Sequence, residues 1–434
     1  MSSSQELWRT FREKPWLSVF VCALLLRLGF LAIMLSQMDS SAVLQLCSDA
    51  DVYYRTGAII RETWDFSTPG TTLFGPGYPF FLALAQWLTG GSTVLLMVLH
   101  AILSSLGSAL IYVWANNLVG NKSVALAAGL LNAFSFTSIS LANILLSETL
   151  FFVLTLVGFI VFLRAHATGK KSLYVVAGFG LAAAAYVRVM GEFLFVLLPF
   201  LTWLFLSDRS GRLKRIAWTL VTAAVMIVLM GLWAQQFYRK HGVCTMALSG
   251  PGGLGHVVRV TYAAVEHTTG TRARAWTDSL VAARDSILHD YPRAFNEVTM
   301  ECLSRYLKEH PGRLTYAYLR NISENMHNEY GLQDVQFPKW APGFNKTWSF
   351  LTEKKLNYRV TLLAVIGCAF LLIERRYRLL LALLMVYGYF AAMAGCSMWQ
   401  TSRIFYPGEI AWTILVAFPL VRLFNFFRGK FSRH

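Results

Sequence analysis

Charged side chains are scarce. Asp, Glu, Lys and Arg together make up 14% of the 434 residues, where a soluble domain carries about 25%. Acidic residues are the rarer sign, 23 against 39 basic ones, for a net charge of +16. This deficit, with 56% hydrophobic residues and a mean hydropathy of +0.48, excludes a chain solvated on every side and points to a bilayer. The six cysteines and nine histidines are scattered, with none of the spacing of a zinc or dithiol site. No internal repeat, heptad or low-complexity tract is present, which speaks against the two-halved design common in secondary carriers. No small-residue cleavage site follows the apolar run at Trp16, so that run reads as a retained first span.

What is abundant is apolar sequence in runs. Runs long enough to cross a bilayer occur at 16–37, 93–117, 123–143, 147–164, 172–187, 191–206, 216–235, 358–374, 379–396 and 405–424. The expectation is therefore an all-α polytopic membrane protein with about ten transmembrane helices. The basic residues cluster beside these runs, which is the mark of membrane topology rather than of nucleic-acid binding. Arg9, Arg12 and Lys14 precede the first run; Lys122, Arg164, Lys170 and Lys171 flank the next ones. Arg209, Arg212, Lys214 and Arg215 sit between the sixth and seventh, Arg375, Arg376 and Arg378 between the eighth and ninth, and Arg428, Lys430 and Arg433 close the chain. All fall on one side if both termini are cytoplasmic, in a multi-pass plasma (inner) membrane protein. Gly77 to Leu88 is short and contains Pro79, so it reads as a helix lying on the outer surface.

The chain then divides into three parts: an N-terminal transmembrane module, 1–235, with its first outer loop at 38–92; an extracytoplasmic region, 236–357; and C-terminal transmembrane helices with a basic tail, 358–434. The middle region holds a Gly-rich stretch at 250–255 and helical patterns at 275–290 and 294–309. Asn321-Ile-Ser and Asn345-Lys-Thr match glycosylation sequons on the outer side. Cys47, Cys244, Cys302 and Cys396 also fall outside the cytoplasm, where disulfides persist.

Ionisable groups at membrane depth are costly and mark function. The outer ends of the runs gather Asp49 and Asp51 in the first loop, Glu148 at the start of the fourth run, Arg188 and Glu192 at the turn after the fifth, and Arg403 at the start of the last. Taken singly, each is most often a solvated loop charge or a snorkelling anchor. Together they suit one reaction. A carboxylate takes the proton of an acceptor attacking an anomeric carbon, and guanidinium forks hold the phosphate that leaves. A phosphate leaving group needs charge stabilisation more than an acid, so one carboxylate suffices. The Asp49-Ala-Asp51 spacing also admits a divalent metal, though no cofactor is required. Arg27, midway in the first run, reads as paired with a carboxylate for structural reasons.

The residues resemble the GT-C class of membrane glycosyltransferases, nearest the branch of protein mannosyltransferases and aminoarabinose transferases (glycosyltransferase family 39 type). Asp49-Ala-Asp-Val-Tyr53 resembles the first-loop Asp-x-x-x-Tyr pattern, and Gly75-Pro-Gly-Tyr-Pro-Phe-Phe-Leu82 the segment opening a juxtamembrane helix, with Gly77 where a proline is usual. Leu146-Ser-Glu-Thr-Leu150 resembles the start of the fourth span, and Tyr186-Val-Arg188 the basic residue after the fifth. Arg403-Ile-Phe-Tyr-Pro407 resembles the late Arg-Tyr-x-x-Pro, and Cys302 to Arg320 the helix before the late spans. The resemblance implies inverting transfer from a polyprenyl-phosphate sugar (undecaprenyl phosphate in a bacterium) to a lipid, glycan or protein acceptor on the extracytoplasmic face. It implies Asp49 as base with Asp51 in reserve, Arg188 and Arg403 on the donor phosphate, and Glu148 orienting the acceptor or an arginine. Tyr53, Tyr78 and Tyr406 would line the substrate site. The other partners are membrane lipids, with no nucleic acid.

Two other classes compete: an O-antigen polymerase or ligase, which takes diphosphate-linked glycans, and a transporter of lipid-linked sugars. Use of a monophosphate-linked monosaccharide separates the first reading from both.

Overall fold

The computed structural model describes residues 13–205, 212–327, 354–400 and 402–431. Arg9, Arg12, Arg209, Asn345 and Arg433 lie outside them, as do the side chains of Arg212 and Lys430.

The described chain is helical with no strand. In order come α1 (Pro15–Leu35), α2 (Ser40–Gln45), α3 (Ser48–Thr63), α4 (Pro69–Phe74), α5 (Gly77–Thr89), α6 (Thr93–Val119) and α7 (Lys122–Phe134). They are followed by α8 (Phe136–Ala142), α9 (Ser147–Thr168), α10 (Lys171–Val187), α11 (Leu194–Phe205) and α12 (Arg212–His241). Then come α13 (Ser249–Val265), α14 (Gly270–Leu288), α15 (Tyr291–Glu309) and α16 (Pro311–His327). The last are α17 (Lys354–Ile373), α18 (Tyr377–Gly395), the single turn α19 (Ser402–Phe405) and α20 (Glu409–Phe431). Local sequence sets many of the ends. Pro15 opens α1 at a position that needs no N–H donor. Ser92, Asn121 and Ser135 cap α6, α7 and α8 through their side chains. Gly90, Gly120 and Gly169 end α5, α6 and α9 in the left-handed conformation.

Six helices among the described residues are long and apolar enough to cross a membrane: α1, α6, α9, α12, α18 and the stretch Ser402–Arg428. A seventh crossing results if α7 and α8, bent by 56° at Ser135, form one broken span. The remaining three apolar runs form Lys171–Val187, Val189–Leu204 and α17, whose apolar part is Tyr358–Ile373. At about 1.5 Å per residue the first two fall short of a hydrocarbon core about 30 Å thick, and six to seven helices among the described residues qualify as spans by length and composition where the run count predicts about ten.

The spans pack as a contiguous bundle. α9 lies along α10, α10 along α12, and α1 and α9 along α6, while α20 joins α7 to α17. Phe200 and Trp203 of α11 stay exposed, as the lipid-facing side of such a helix requires. The second layer is α13–α16, built around Leu248, Val258, Val281, Phe295, Val298 and Tyr306. Its Gly-rich stretch forms the start of α13. The reason is contact: a Cβ at Gly253 would lie 1.9 Å from the Cys396 carbonyl oxygen, so glycine lets α13 press against the segment after α18.

Arg27 has no carboxylate beside it, contrary to the sequence reading. It is fully buried, and its five N–H donors are met by hydroxyls and carbonyls. Nε donates to Ser104 Oγ at 2.8 Å, Nη1 to the Ala23 and Ala133 carbonyls, and Nη2 to Ser108 and Ser138 Oγ at 3.1 and 2.7 Å. Ser108 donates onward to Asn132 at 2.7 Å, and Asn132 donates to Glu409 at 2.6 Å. The charge is thus balanced through a relay, which spares the bundle an unsatisfied ion costing several kcal/mol.

Candidate active site

Asp49 and Asp51 both sit in the first turn of α3, where the helix dipole favours negative charge. Two positions apart on a helix, they face different ways. Asp51 turns to Arg55 one turn on, at 2.8 Å near the surface. Asp49 turns inward, and its Oδ2 accepts from Arg403 Nη2 at 2.7 Å. Tyr53, one turn after Asp49 on the same face, is buried and donates from its hydroxyl to Ser147 Oγ at 3.2 Å.

Glu148 enters from the first turn of α9, wholly buried. One oxygen of its carboxylate accepts from Arg188 Nη1 at 2.6 Å and from Arg403 Nε in a short contact. Arg188 stands in extended backbone just past α10 and also donates to Ser147 Oγ at 3.0 Å. The remaining edge of Arg403 points Nη1 at Cys47 Sγ, 3.6 Å away. A chain of ion pairs results, Asp49–Arg403–Glu148–Arg188, drawn from α3, α19, α9 and the end of α10.

Three of the four, Asp49, Arg188 and Arg403, line a cavity of about 1000 Å³. Tyr53, Glu192, Val243 to Thr245, Leu248 to Gly253 and parts of α14 and α15 line it with them. Glu148 lies behind the two arginines and fixes them. Tyr78 and Tyr406 are buried away from the cavity. Tyr78 meets Tyr53 edge-on at 4.7 Å and shares a hydrogen bond with His100 Nε2 at 2.8 Å. Tyr406 stacks on Phe152 at 4.6 Å, 3.1 Å from Ser138 Oγ. Burial above all pushes the phenols of Tyr53 and Tyr78 above their usual range, so both keep their protons. Gly77 has a steric reason as well: a Cβ there would lie 2.6 Å from the Tyr186 carbonyl, so α5 closes onto the end of α10 beside Arg188.

Asp49 and Asp51 do not converge, and among the described residues no three His, Cys, Asp or Glu side chains gather to hold a metal. All six cysteines are free, Cys47, Cys244, Cys302 and Cys396 among them.

One set of positioning residues escaped the sequence reading. Asn321 and Asn325, one turn apart on α16, are both fully buried. The Asn321 amide donates to the Gly395 and Ser397 carbonyls at 3.2 Å each, and that of Asn325 to Ala394 and Met398 at 3.0 Å each. In return Asn321 accepts from Trp399 Nε1 at 2.5 Å and Asn325 from the Gln400 N–H at 3.0 Å. The two clamp the segment that leads into Arg403. The sequon reading of Asn321 is therefore corrected: its amide is spent inside the fold. The legible signal was two asparagines on one face of an amphipathic helix.

Residues 70–241 match the family described as dolichyl-phosphate-mannose-protein mannosyltransferase. The match contains Tyr78, Glu148, Arg188 and Glu192, while Asp49, Tyr53, Arg403 and Tyr406 lie outside it. A comparison with curated proteins finds no match. Among solved structures, the archaeal oligosaccharyltransferase AglB from Archaeoglobus fulgidus, in complex with an inhibitory peptide and a dolichol-phosphate, aligns at a TM-score of 0.54. Identity there is 13%, over 98% of this chain and 52% of that one. The apo form of the Archaeoglobus fulgidus oligosaccharyltransferase gives 0.56 at 14% identity over the same shares. The form tethered to an acceptor peptide gives 0.52 at 12%, over 96% and 50%. The chain spans about half the length of these proteins, and identity this low establishes a shared fold. Residues 70–241 are thus similar to the dolichyl-phosphate-mannose-protein mannosyltransferase family, and the chain shares its fold with these oligosaccharyltransferases.

Proposed function

We propose that this protein transfers a sugar from a polyprenyl-phosphate donor to an acceptor on the extracytoplasmic face, with inversion. Mannose and protein are the sugar and acceptor that the family description names. The observation that carries the reading is the Asp49–Arg403–Glu148–Arg188 chain, three of whose members line the cavity. Asp49 takes the proton from the acceptor hydroxyl as its oxygen attacks the anomeric carbon. The bond from that carbon to the phosphate oxygen breaks, and the electron pair leaves with the polyprenyl phosphate. Arg403 and Arg188 hold that phosphate.

The charge balance makes Arg403 central. Before reaction Asp49 is an anion and the donor phosphodiester carries one negative charge. Afterwards Asp49 is neutral and the phosphomonoester carries the charge that Asp49 lost. Arg403 touches Asp49 already, so one guanidinium follows the charge from base to leaving group. Glu148, buried behind, keeps both arginines aimed while this happens.

The topology that accompanies this reading has ten crossings: the six long helices, the bent α7–α8 pair and the three remaining apolar helices, the short ones completed by their flanking residues. Both termini are then cytoplasmic, in the plasma membrane, and residues 38–92 and 236–357 share the extracytoplasmic side with the site. The test is transfer by the full chain in nanodiscs, with polyprenyl-phosphate mannose and a panel of peptide, glycan and lipid acceptors. Glycosylated acceptor and released polyprenyl monophosphate are expected in equal amounts. Use of only a diphosphate-linked donor would overturn the reading.

A further inference from the structure

Glu192 is the carboxylate nearest Arg188 in sequence among those lining the cavity. Asp49 and Asp278 each face an arginine, and Asp285 stands a helix turn and more beyond Asp278 on α14. Glu192 faces none: among the described residues no cation lies within ion-pair reach of it. Its one hydrogen bond among the described residues is from the Met246 N–H to Oε1 at 3.1 Å, which leaves Oε2 with no partner among them. A carboxylate set in an apolar wall, beside Val189, Met190 and Phe193, is kept at a cost unless a ligand supplies donors. Its place is also specific. Arg188, on the phosphate side, and Glu192 are separated by the single 3-10 turn Val189–Gly191, a rise of roughly 8 Å at most. That is about the breadth of a sugar ring attached to the phosphate that Arg188 would hold.

We infer that Glu192 binds hydroxyls of the donor's sugar ring and thereby sets which sugar the site accepts. This rests on the reading of the site as a polyprenyl-phosphate-sugar transferase. A carboxylate accepts from two neighbouring hydroxyls at once, and apolar side chains beside it cover the ring's C–H face. Arginines recognise the phosphate common to all such donors; Glu192 recognises the part that differs.

The test compares binding of two lipids to the full chain in nanodiscs: polyprenyl-phosphate mannose and polyprenyl phosphate without a sugar. Glu192→Ala should weaken the sugar-bearing lipid by about tenfold or more, the worth of a charge-assisted hydrogen bond. It should leave the bare lipid phosphate within about twofold, which also certifies the fold. Glu192→Gln, which keeps an acceptor for Met246 N–H, should lose less than the alanine variant. Trp233→Phe serves as the control for the 242–248 segment, because Trp233 Nε1 donates to the Met246 carbonyl at 2.9 Å away from the cavity. It should spare both lipids. Equal losses on both lipids in Glu192→Ala, no loss on either, or a sugar-selective loss in Trp233→Phe would overturn the inference. Failure of the unmodified protein to bind either lipid would instead remove the proposed function beneath it.

Discussion

Asp49 Oδ2 and Arg403 Nη2 stand 2.7 Å apart, joining the first loop to the start of the last span. Asp51, two residues on, bonds Arg55 at the surface instead. Asp49→Asn should therefore fold and bind donor while turnover falls about 100-fold or more. Asp51→Asn should stay near normal. Turnover with a purified lipid-phosphate sugar, with donor binding measured alongside, decides it. Normal turnover in both variants would remove the first-loop base.

Arg403 serves two carboxylates at once, so its loss should be severe. Arg403→Ala and Arg188→Ala should each weaken donor binding by on the order of 2–5 kcal/mol, and Arg403→Lys should recover little because an ammonium lacks the planar fork. Binding assays on detergent-solubilised protein supply the measurement. Donor affinity unchanged in either alanine variant would take that arginine out of the phosphate site.

The α13 layer carries a pH dependence of its own. Burial first, and Arg259 second, lower the His256 imidazole to about 4, and the ring meets Trp399 edge-on at 5.2 Å. The unfolded chain binds a proton here near pH 6.5, whereas the folded chain waits until about 4. Stability is thus fully present above 6.5 and is lost as pH falls from there toward 4. Melting curves of the protein and of His256→Gln should converge on acidification across that window. Parallel curves would show that His256 does not contribute.

The orientation is testable without activity. Ser279 is exposed on α14, and a cysteine introduced there should react with an impermeant thiol reagent in intact cells. Labelling only after membrane rupture would place 236–357 in the cytoplasm and reverse the topology.

Much of this was legible because it is local. Asp49 and Tyr53 share a helix face by spacing alone, and the apolar runs mark the helices wherever they fall. Helix length was less legible: the runs at 172–187, 191–206 and 358–374 read as crossings, yet the apolar helices they form are short. Least legible were bonds between distant segments. Arg27 found serines on α6 and α8 where a carboxylate was expected. Asn321 and Asn325 bond backbone carbonyls, which leave no residue-type signal in the segment they hold. Glu192 read only as a turn charge, because its isolation from cations exists in three dimensions alone.

The asparagine clamp also sets a rule for building chimeras. Helix α16 grips 394–400 through six hydrogen bonds, and Arg320 lies over Trp399 at 4.6 Å. Exchanging α13–α16 for those of a relative would detach the stretch that delivers Arg403. A working graft has to carry its own 394–400 segment with it, even though the two pieces are far apart in the gene.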